Sequence, residues 1–302
     1  MARSTASLCL ALLAWLAPAP ARAADTVAII LSEPGGAYAE VAEAVRAELP
    51  SGVVTIAQDL APAPAAQPRL VVAIGTKACA TTARATGAPA LCALIPRAAF
   101  ERIAGDPASR SRSLSAVYLD QPAARQMALI RLVLPKADTV AMLVGAESAT
   151  SESALISAAK RHGMQPATAR VSGPDDLYPA LQRLLDGGVD ALLAVPDTQI
   201  FNAGTVQNIL RTAIRSRVPL FAFSPAYVRA GALAAVHATP QQAGRQAGLV
   251  ARDVLAGRPL PAPLYAAEFT VTLNSQVARS LGFEAPDAEA LAARLRAQEK
   301  GQ

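Results

Sequence analysis

The sequence predicts an α/β protein with two similar lobes, each built on a parallel β-sheet that helices cover on both faces. Continuous apolar runs of about five or six residues alternate with segments whose apolar residues recur at helical spacing. The alternation restarts after Asp120, so two βα series of about a hundred residues each follow one another. The chain has 302 residues, 52% hydrophobic and 17% charged, which is enough to bury two cores, although alanine supplies much of the apolar fraction.

The first 23 residues are typical of a secretory signal peptide, which we place at residues 1–23. Arg3 gives a positive start, and Ala21-Arg22-Ala23 forms a cleavage signal after the apolar run 8–16. Cys9 lies inside that run, which argues against a lipid-anchored cysteine at the mature terminus. The alternative is a buried N-terminal helix. No other stretch approaches about 18 apolar residues, so we expect export to the periplasm without membrane insertion of the mature chain.

The first series contains four apolar runs that are typical of buried parallel strands. Val41, Val45 and Leu49 recur at helical spacing after the first run, which predicts a helix there. Gly75-Thr76 ends the second run, and a further helix is expected to follow it. The runs are residues 26–31, 70–74, 90–95 and 114–119.

The second series repeats this order with predicted helices at about 122–134, 177–185 and 206–214, and strands at 139–144, 167–171, 191–195 and 220–223. A long helix follows, with Thr239 as its N-cap, Pro240 in its first turn and Gly257 at its end. Alternation over 268–274 indicates an antiparallel or edge strand. The charged, alanine-rich tail at 287–302 is predicted to form a peripheral helix.

Charge and histidine content argue against two classes of function. Two of the 28 basic residues, Arg3 and Arg22, lie in the predicted signal, so the remaining excess of basic over the 23 acidic residues is small. The basic residues are also scattered along the chain. This gives no basis for nucleic-acid binding. The chain contains only His162 and His237, with no Cys or His at ligand spacing around them, so no metal site is predicted.

Cys79 and Cys92 remain after cleavage of the predicted signal. In an oxidising compartment this pair can form one disulfide, which would stabilise the protein by roughly 3 kcal/mol in the chain-entropy model. The alternative is two separate buried thiols.

No catalytic residue and no cofactor are predicted. The sequence has no G-x-S-x-G elbow, phosphate-binding loop, dinucleotide fingerprint or metal cluster. An exported enzyme is the least favoured function, because a Ser/His/Asp set can be assembled only by choosing residues freely.

Polar and small residues follow the strand ends in both series. Ligands of open parallel sheets bind beyond the carboxyl ends of the strands, and the helix starts there can offer backbone N–H groups to an anion. This rule selects as candidate ligand-binding residues Ser32, Glu33, Gly36, Tyr38, Gly75, Thr76, Arg97, Glu147, Ser148, Asp197, Thr198 and Ser224.

Most of these candidates have a structural alternative. Thr76, Ser148 and Ser224 lie where Ser and Thr commonly cap helices. Tyr38 either stacks on a ligand or closes the apolar side of the first helix. Arg97 either pairs with a ligand carboxylate or is exposed, and the two glutamates are either ligand contacts or solvated.

Asp197 follows the apolar run 191–195 and is the strongest single candidate. It is a ligand contact, a loop-and-cap residue or a catalytic acid. Since no base, nucleophile or metal site accompanies it, the ligand contact is favoured over catalysis. The substitution Asp197→Ala is expected to weaken ligand binding without unfolding the protein.

The C-terminal half resembles the periplasmic substrate-binding components of ABC transporters, and more narrowly the type I group that includes putative tryptophan and tyrosine binders. The resemblance spans nearly the whole mature chain. No single motif is specific, but their order and spacing are. The motifs are Val218-Pro219-Leu220-Phe221, Gly231-Ala232, the helix segment from Gly244 to Ala247, Gly257-Arg258-Pro259, and the run from Leu273-Asn274 to Pro286.

The resemblance implies two Rossmann-like lobes joined by a three-segment hinge, the periplasmic-binding-protein type I fold. It places lobe 1 at 24–119 plus 239–268 and lobe 2 at 120–238 plus 269–286. His237 lies near the second crossing and is a further candidate ligand contact. The segment "AVHATP" replaces the Tyr- or Asp-rich segment usual in the family, and the first loop has few aromatic residues.

The implied function is a monomeric solute-binding component of an ABC importer that closes on a small ligand and delivers it to a membrane permease. An amino acid or a related small polar or aromatic solute is the implied ligand. The alternative is a sensory or accessory binding protein that has the same fold and signals to an envelope partner.

Overall fold

The computed structural model describes residues 24–57, 68–85, 87–109 and 113–300. The predicted signal peptide and Cys9 lie outside these residues. The predicted fold class is confirmed, because the described residues form two six-stranded sheets with helices packed against them. Each sheet belongs to one lobe.

The lobe 1 sheet has the strand order β11-β5-β4-β3-β1-β2, and all its neighbours pair in parallel. Helices α1 (Gly36–Ala47), α2 (Thr76–Arg84), α3 (Arg97–Gly105) and α9 (Pro240–Leu255) accompany it. Its strands are β1 (Ala24–Leu31), β2 (Val54–Ala57), β3 (Pro68–Ile74), β4 (Ala90–Ile95), β5 (Leu114–Tyr118) and β11 (Leu264–Tyr265).

The lobe 2 sheet has the order β12-β10-β9-β8-β6-β7, with one antiparallel pair between β10 and β12. Its strands are β6 (Thr139–Val144), β7 (Gln165–Arg170), β8 (Ala191–Leu193), β9 (Leu220–Ala222), β10 (Ala234–His237) and β12 (Thr270–Leu273). Its helices are α4 (Ala123–Val133), α5 (Ala149–Arg161), α6 (Leu177–Asp186), α7 (Val206–Arg215), α8 (Pro225–Ala230), α10 (Ser275–Ser280) and α11 (Ala288–Lys300).

The strand predicted at 268–274 as antiparallel or at an edge is present as β12, which is both. The sequence prediction missed β2, β10 and the two-residue strand β11. Strand β10 is fully buried between β9 and β12, but it begins with two alanines, which are depleted in strands and give a weak strand signal. Strand β2 is a four-residue edge strand, too short for a clear periodicity.

The chain passes between the two sheets three times, which confirms the three-segment hinge. It leaves lobe 1 after β5, returns after β10 and leaves again after β11. The second crossing leads into α9, whose predicted N-cap is confirmed: Thr239 and Gln242 form a reciprocal capping box. Helix α9 lies close against α1, since a Cβ on Gly244 would be 2.6 Å from the carbonyl oxygen of Val41.

Each lobe has an apolar cluster on either face of its sheet. Helix α11 is part of one of them rather than peripheral, which differs from the sequence prediction for 287–302. Leu291, Ala292 and Leu295 are buried against the lobe 2 core. Charged residues cover its other faces, so its composition concealed a narrow apolar stripe.

The predicted disulfide is confirmed between Cys79 of α2 and Cys92 of β4, with Cα atoms 5.4 Å apart. Both cysteines are fully buried in one apolar cluster of lobe 1. The bond ties α2 to the sheet, and α2 begins at Thr76 directly after the carboxyl end of β3.

Replacing both cysteines, Cys79→Ala with Cys92→Ala, should lower the free energy of unfolding by about 3 kcal/mol, since the cross-link restricts the unfolded chain. Urea unfolding without reductant measures the loss. The control is the wild-type chain unfolded with reductant, which should approach the variant's stability. Free thiols detected in the unfolded, unreduced wild type would contradict the bond.

Candidate functional site

A cleft of about 340 Å³ lies between the two lobes, where the carboxyl ends of their strands face each other. This is the edge at which open parallel sheets bind ligands. Lobe 1 lines the cleft with Thr76, Pro96, Ala98, Ala99, Arg102 and Leu119, and Asp120 lines it from the first crossing. Lobe 2 lines it with Glu147, Pro196, Asp197, Thr198, Phe201, Phe223 and Tyr227.

Three aromatic side chains form the apolar part of the lobe 2 wall. The rings of Phe223 and Tyr227 lie 4.8 Å apart, and Phe201 meets each of them edge-on at 6.3 Å. The Tyr227 hydroxyl donates a hydrogen bond to the carbonyl oxygen of Phe201 at 2.9 Å. Burial raises the pKa of Tyr227, which keeps the hydroxyl neutral. The mutual contacts make this a fixed surface for a flat or apolar group.

Small side chains form the lobe 1 wall on the opposite side of the cleft. Pro96 precedes α3, and Ala98 and Ala99 lie in its first turn. Leu119 adds an aliphatic surface at the end of β5. These short side chains leave room for a ligand in front of the aromatic wall.

Asp120 lies at the first crossing and lines both the cleft and a smaller crevice beside it. Its Oδ2 accepts a hydrogen bond from the backbone N–H of Arg97 at 2.5 Å. Burial raises the pKa of this carboxyl group despite that bond. Asp120 is therefore a desolvated carboxylate with only part of its hydrogen-bonding capacity met by the described residues.

The side chain of Arg97 is engaged within lobe 1. Its Nε donates to Glu101 at 2.6 Å, and its Nη1 donates to the Tyr265 hydroxyl at 3.1 Å. The Glu101 hydrogen bond, supported by the one to Tyr265, raises the pKa of Arg97 further above its already high value. Arg97 lines the smaller crevice rather than the cleft.

Asp197 is 3% exposed and holds two loops of lobe 2 together. Its Oδ2 accepts hydrogen bonds from the N–H of Glu147, the N–H of Ser148 and the Ser148 hydroxyl at 3.2, 3.1 and 3.0 Å. Its Oδ1 accepts from the N–H of Gln199 at 3.1 Å. Gly145 permits this approach, because a Cβ there would lie 2.6 Å from Oδ2.

Glu147 and Thr198 form the polar rim of the same wall. The Oε2 of Glu147 accepts from both the N–H and the hydroxyl of Thr198, at 2.8 and 3.0 Å. Among the described residues, none donates to Oε1 of Glu147, so this oxygen can accept a hydrogen bond from a ligand.

Three candidates from the first two predicted strand ends, Ser32, Tyr38 and Gly75, stabilise lobe 1. The Ser32 hydroxyl accepts from the N–H of Ala78 at 3.0 Å, inside the first turn of α2. Gly75, with φ of 91°, is the N-cap of that helix in place of the expected Thr76, and Thr76 is exposed and lines the cleft. A Cβ on Gly75 would lie 2.5 Å from the Tyr38 ring, which packs on the lobe 1 core.

The remaining candidates do not line the cleft. Glu33 and Gly36 are exposed in and just after the loop that precedes α1. Ser224 is the N-cap of α8, but its hydroxyl makes no capping hydrogen bond. His237 is 7% exposed with Nε2 2.9 Å from the Thr272 hydroxyl oxygen, and burial lowers its pKa, which favours the neutral ring.

Comparison with known proteins identifies the family. The family profile described as ABC transporter substrate binding protein matches residues 47–294, most of the chain. The chain belongs to this family. No curated protein sequence matches this substrate-binding protein. No helix in the described ranges has the length and apolar character needed to cross a bilayer.

Solved structures share the fold of this substrate-binding protein at low sequence identity. A ligand-free, open substrate-binding protein with adhesive properties from Clostridium difficile has a TM-score of 0.67 at 17% identity, covering 87% of this chain and 97% of the other. An ABC domain from Streptococcus pneumonia in complex with L-Trp gives 0.61 at 20%, covering 87% and 96%. A periplasmic ribose ABC transporter protein from Conexibacter woesei gives 0.54 at 15%, covering 90% and 98%.

The structure brings four of the predicted residues into the cleft: Thr76, Glu147, Asp197 and Thr198. Sequence reasoning missed the aromatic wall, Arg102 and Asp120. The rule of strand ends could have found Asp120, which follows β5 as directly as Asp197 follows its own apolar run. The positions of Phe201 and Tyr227 carry no such signal, since neither adjoins a strand end.

The hydrogen bonds of Asp197 revise the expected effect of its removal. Asp197→Ala should lower the free energy of unfolding by about 2 kcal/mol, because it leaves buried donors of Glu147 and Ser148 unpaired. Urea unfolding tests this. The control is Asp175→Ala, an exposed residue of the same lobe, whose effect should stay within about 0.5 kcal/mol. Equal stability of the two variants would contradict the anchoring role.

Proposed function

We propose that this protein is the extracytoplasmic solute-binding component of an ABC importer, which closes lobe 1 on lobe 2 around a small solute and delivers it to a permease. For this motion, lobe 1 is taken as 24–119 plus 239–268 and lobe 2 as 120–238 plus 269–286. The observation that carries the proposal is a cleft lined by both lobes and bordered by a three-segment hinge. A monomer in the periplasm, exported by residues 1–23, fits this role.

The chemistry of the cleft favours an amino acid with an aromatic side chain. The rings of Phe223 and Tyr227 offer a stacking surface for the side chain. Asp120 and the Oε1 oxygen of Glu147 offer carboxylate oxygens to an α-ammonium group. A partly buried, desolvated carboxylate such as that of Asp120, with unused acceptor capacity, is costly in the empty protein, and a bound ammonium group offsets that cost.

Arg102 supplies the complementary charge. It lines the cleft from α3, and no ion pair of its guanidinium occurs in the described part of the chain. An α-carboxylate is the natural partner for such a group. The L-Trp complex of the Streptococcus relative supports the same class of ligand.

A sensory or accessory role would use the same cleft, so ligand binding alone does not distinguish it from transport. Loss of solute uptake when the protein is deleted, restored by the wild-type chain, supports delivery to a permease. Normal uptake without the protein would favour the sensory role.

The proposed ligand class predicts a thermal shift with aromatic amino acids. L-Tryptophan, L-tyrosine and L-phenylalanine should raise the melting temperature, because a ligand at about 100 times its Kd stabilises the folded state by about 2.7 kcal/mol. D-Allose, adenosine and succinate serve as comparison solutes of other classes. The absence of a shift with every amino acid would contradict the proposal.

Asp120→Asn separates ligand binding from folding. The asparagine oxygen can still accept from the N–H of Arg97, but the charge is lost. We expect the affinity for L-tryptophan to fall by about tenfold or more, because hydrogen bonds to charged groups are worth about 1.5–3 kcal/mol. Titration calorimetry measures this, with Asp175→Asn as the control. Unchanged affinity would show that Asp120 does not contact the ligand.

The same residue predicts a pH dependence. Only the ionised carboxylate attracts an ammonium group, so affinity should fall as the pH decreases through the raised pKa of Asp120. The fall should therefore begin above the ordinary aspartate pKa of about 3.9. The stability of the ligand-free protein should rise as the pH decreases through the same pKa, because protonation removes the cost of the desolvated charge. The affinity of Asp120→Asn should lack this step.

A further inference from the structure

A buried cation, Arg125, lies beside the hinge, in the first turn of helix α4 of lobe 2. Its side chain is 5% exposed. Its Nη1 donates to the side-chain oxygen of Gln121 at 2.6 Å and to the carbonyl oxygen of Ala266 at 3.2 Å. Its guanidinium carbon lies 4.0 Å from the centre of the Phe269 ring. An arginine so enclosed has few ways to move without breaking these contacts.

These contacts connect two of the three crossings. Gln121 belongs to the first crossing, between β5 and α4, and Ala266 to the third, between β11 and β12. Ala266 is packed in the lobe 1 core, whereas Phe269 is packed in the lobe 2 core. The single side chain of Arg125 therefore joins lobe 2 to a backbone segment that is packed in lobe 1.

The counter-charge of Arg125 comes from the last turn of the chain's last helix. Glu299 of α11 accepts from Nε at 2.5 Å and from Nη2 at 2.9 Å, a bidentate pair. Helix α11 also places Arg296 over the Phe269 ring at 5.5 Å, where its Nη2 donates to the Phe269 carbonyl oxygen. Leu291 and Leu295 fix the helix on lobe 2.

We propose that the C-terminal helix braces the hinge: Glu299 holds Arg125 on the first and third crossings and thereby sets the relative orientation of the lobes. This proposal concerns the hinge, and it holds for whichever solute the cleft binds. Its failure would leave the proposed function intact, because no residue of the brace lines the cleft.

The physical reason for the brace is that a buried guanidinium group is costly unless a carboxylate neutralises it. With Glu299 in place, the fork of Arg125 is neutralised on one side and is free to donate to Gln121 and Ala266 on the other. Without that carboxylate, the buried cation gains from moving toward water, which releases the Ala266 carbonyl. The two crossings then lose their common anchor and the hinge loosens.

Hydrogen exchange of the full chain, followed by mass spectrometry, tests the brace. In Glu299→Gln, the amides of residues 119–121 and 266–269 should exchange about tenfold faster, equal to about 1.4 kcal/mol in opening free energy. The matched control is Glu289→Gln, an exposed carboxylate in the first turn of the same helix, which should exchange as the wild type does.

A second variant shows whether Glu299 acts through Arg125. In an Arg125→Met background, adding Glu299→Gln should cause no further increase at the two crossings. If Arg125→Met does not fold, Arg125→Gln replaces it, since glutamine can still donate a hydrogen bond but lacks the charge that Glu299 neutralises. Small-angle X-ray scattering of Glu299→Gln should show a broader range of lobe separations than the wild type.

Three outcomes would overturn the proposal. One is exchange at the crossings that is equal in Glu299→Gln and Glu289→Gln. Another is faster exchange throughout lobe 2 with no excess at the crossings, which would make α11 a general support of the core. The third is a full Glu299→Gln effect in the Arg125 variant background.

Discussion

The parallel direction of the strands determines where this protein can place a binding site. Parallel strands joined by crossover helices all deliver their carboxyl ends to the same edge of their sheet, and among the described strands only β12 runs the other way. The three crossings then turn the two edges toward each other. The cleft results from chain topology, and the side chains that line it determine its chemistry.

Two aspartates near this edge show how hydrogen bonding separates structure from function. Both carboxylate oxygens of Asp197 accept hydrogen bonds from protein donors, so the protein itself satisfies this side chain. Asp120 is desolvated, accepts backbone hydrogen bonds from Arg97 and from its own N–H, and has a raised pKa. A carboxylate whose oxygens accept hydrogen bonds from the protein stabilises loops, whereas one with unused acceptor capacity can accept a hydrogen bond from a ligand.

The sequence was sufficient for the fold class and for most elements, because continuous apolar runs and an N-cap followed by proline, as at Thr239-Pro240, are local signals. It was insufficient for β10, where tertiary burial overrides the low strand preference of alanine. The choice between thiols and a disulfide also needed the structure, since it depends on α2 packing over β4. The aromatic wall depends on loops whose course no periodicity encodes.

The proposed function requires that one small ligand is held between the lobes by groups from both. A crystal structure with the amino acid that gives the largest thermal shift would test this requirement. We expect an ammonium group within hydrogen-bonding distance of Asp120 or Glu147 and a side chain against Phe223 and Tyr227. A ligand bound to one lobe only, or outside the cleft, would contradict it.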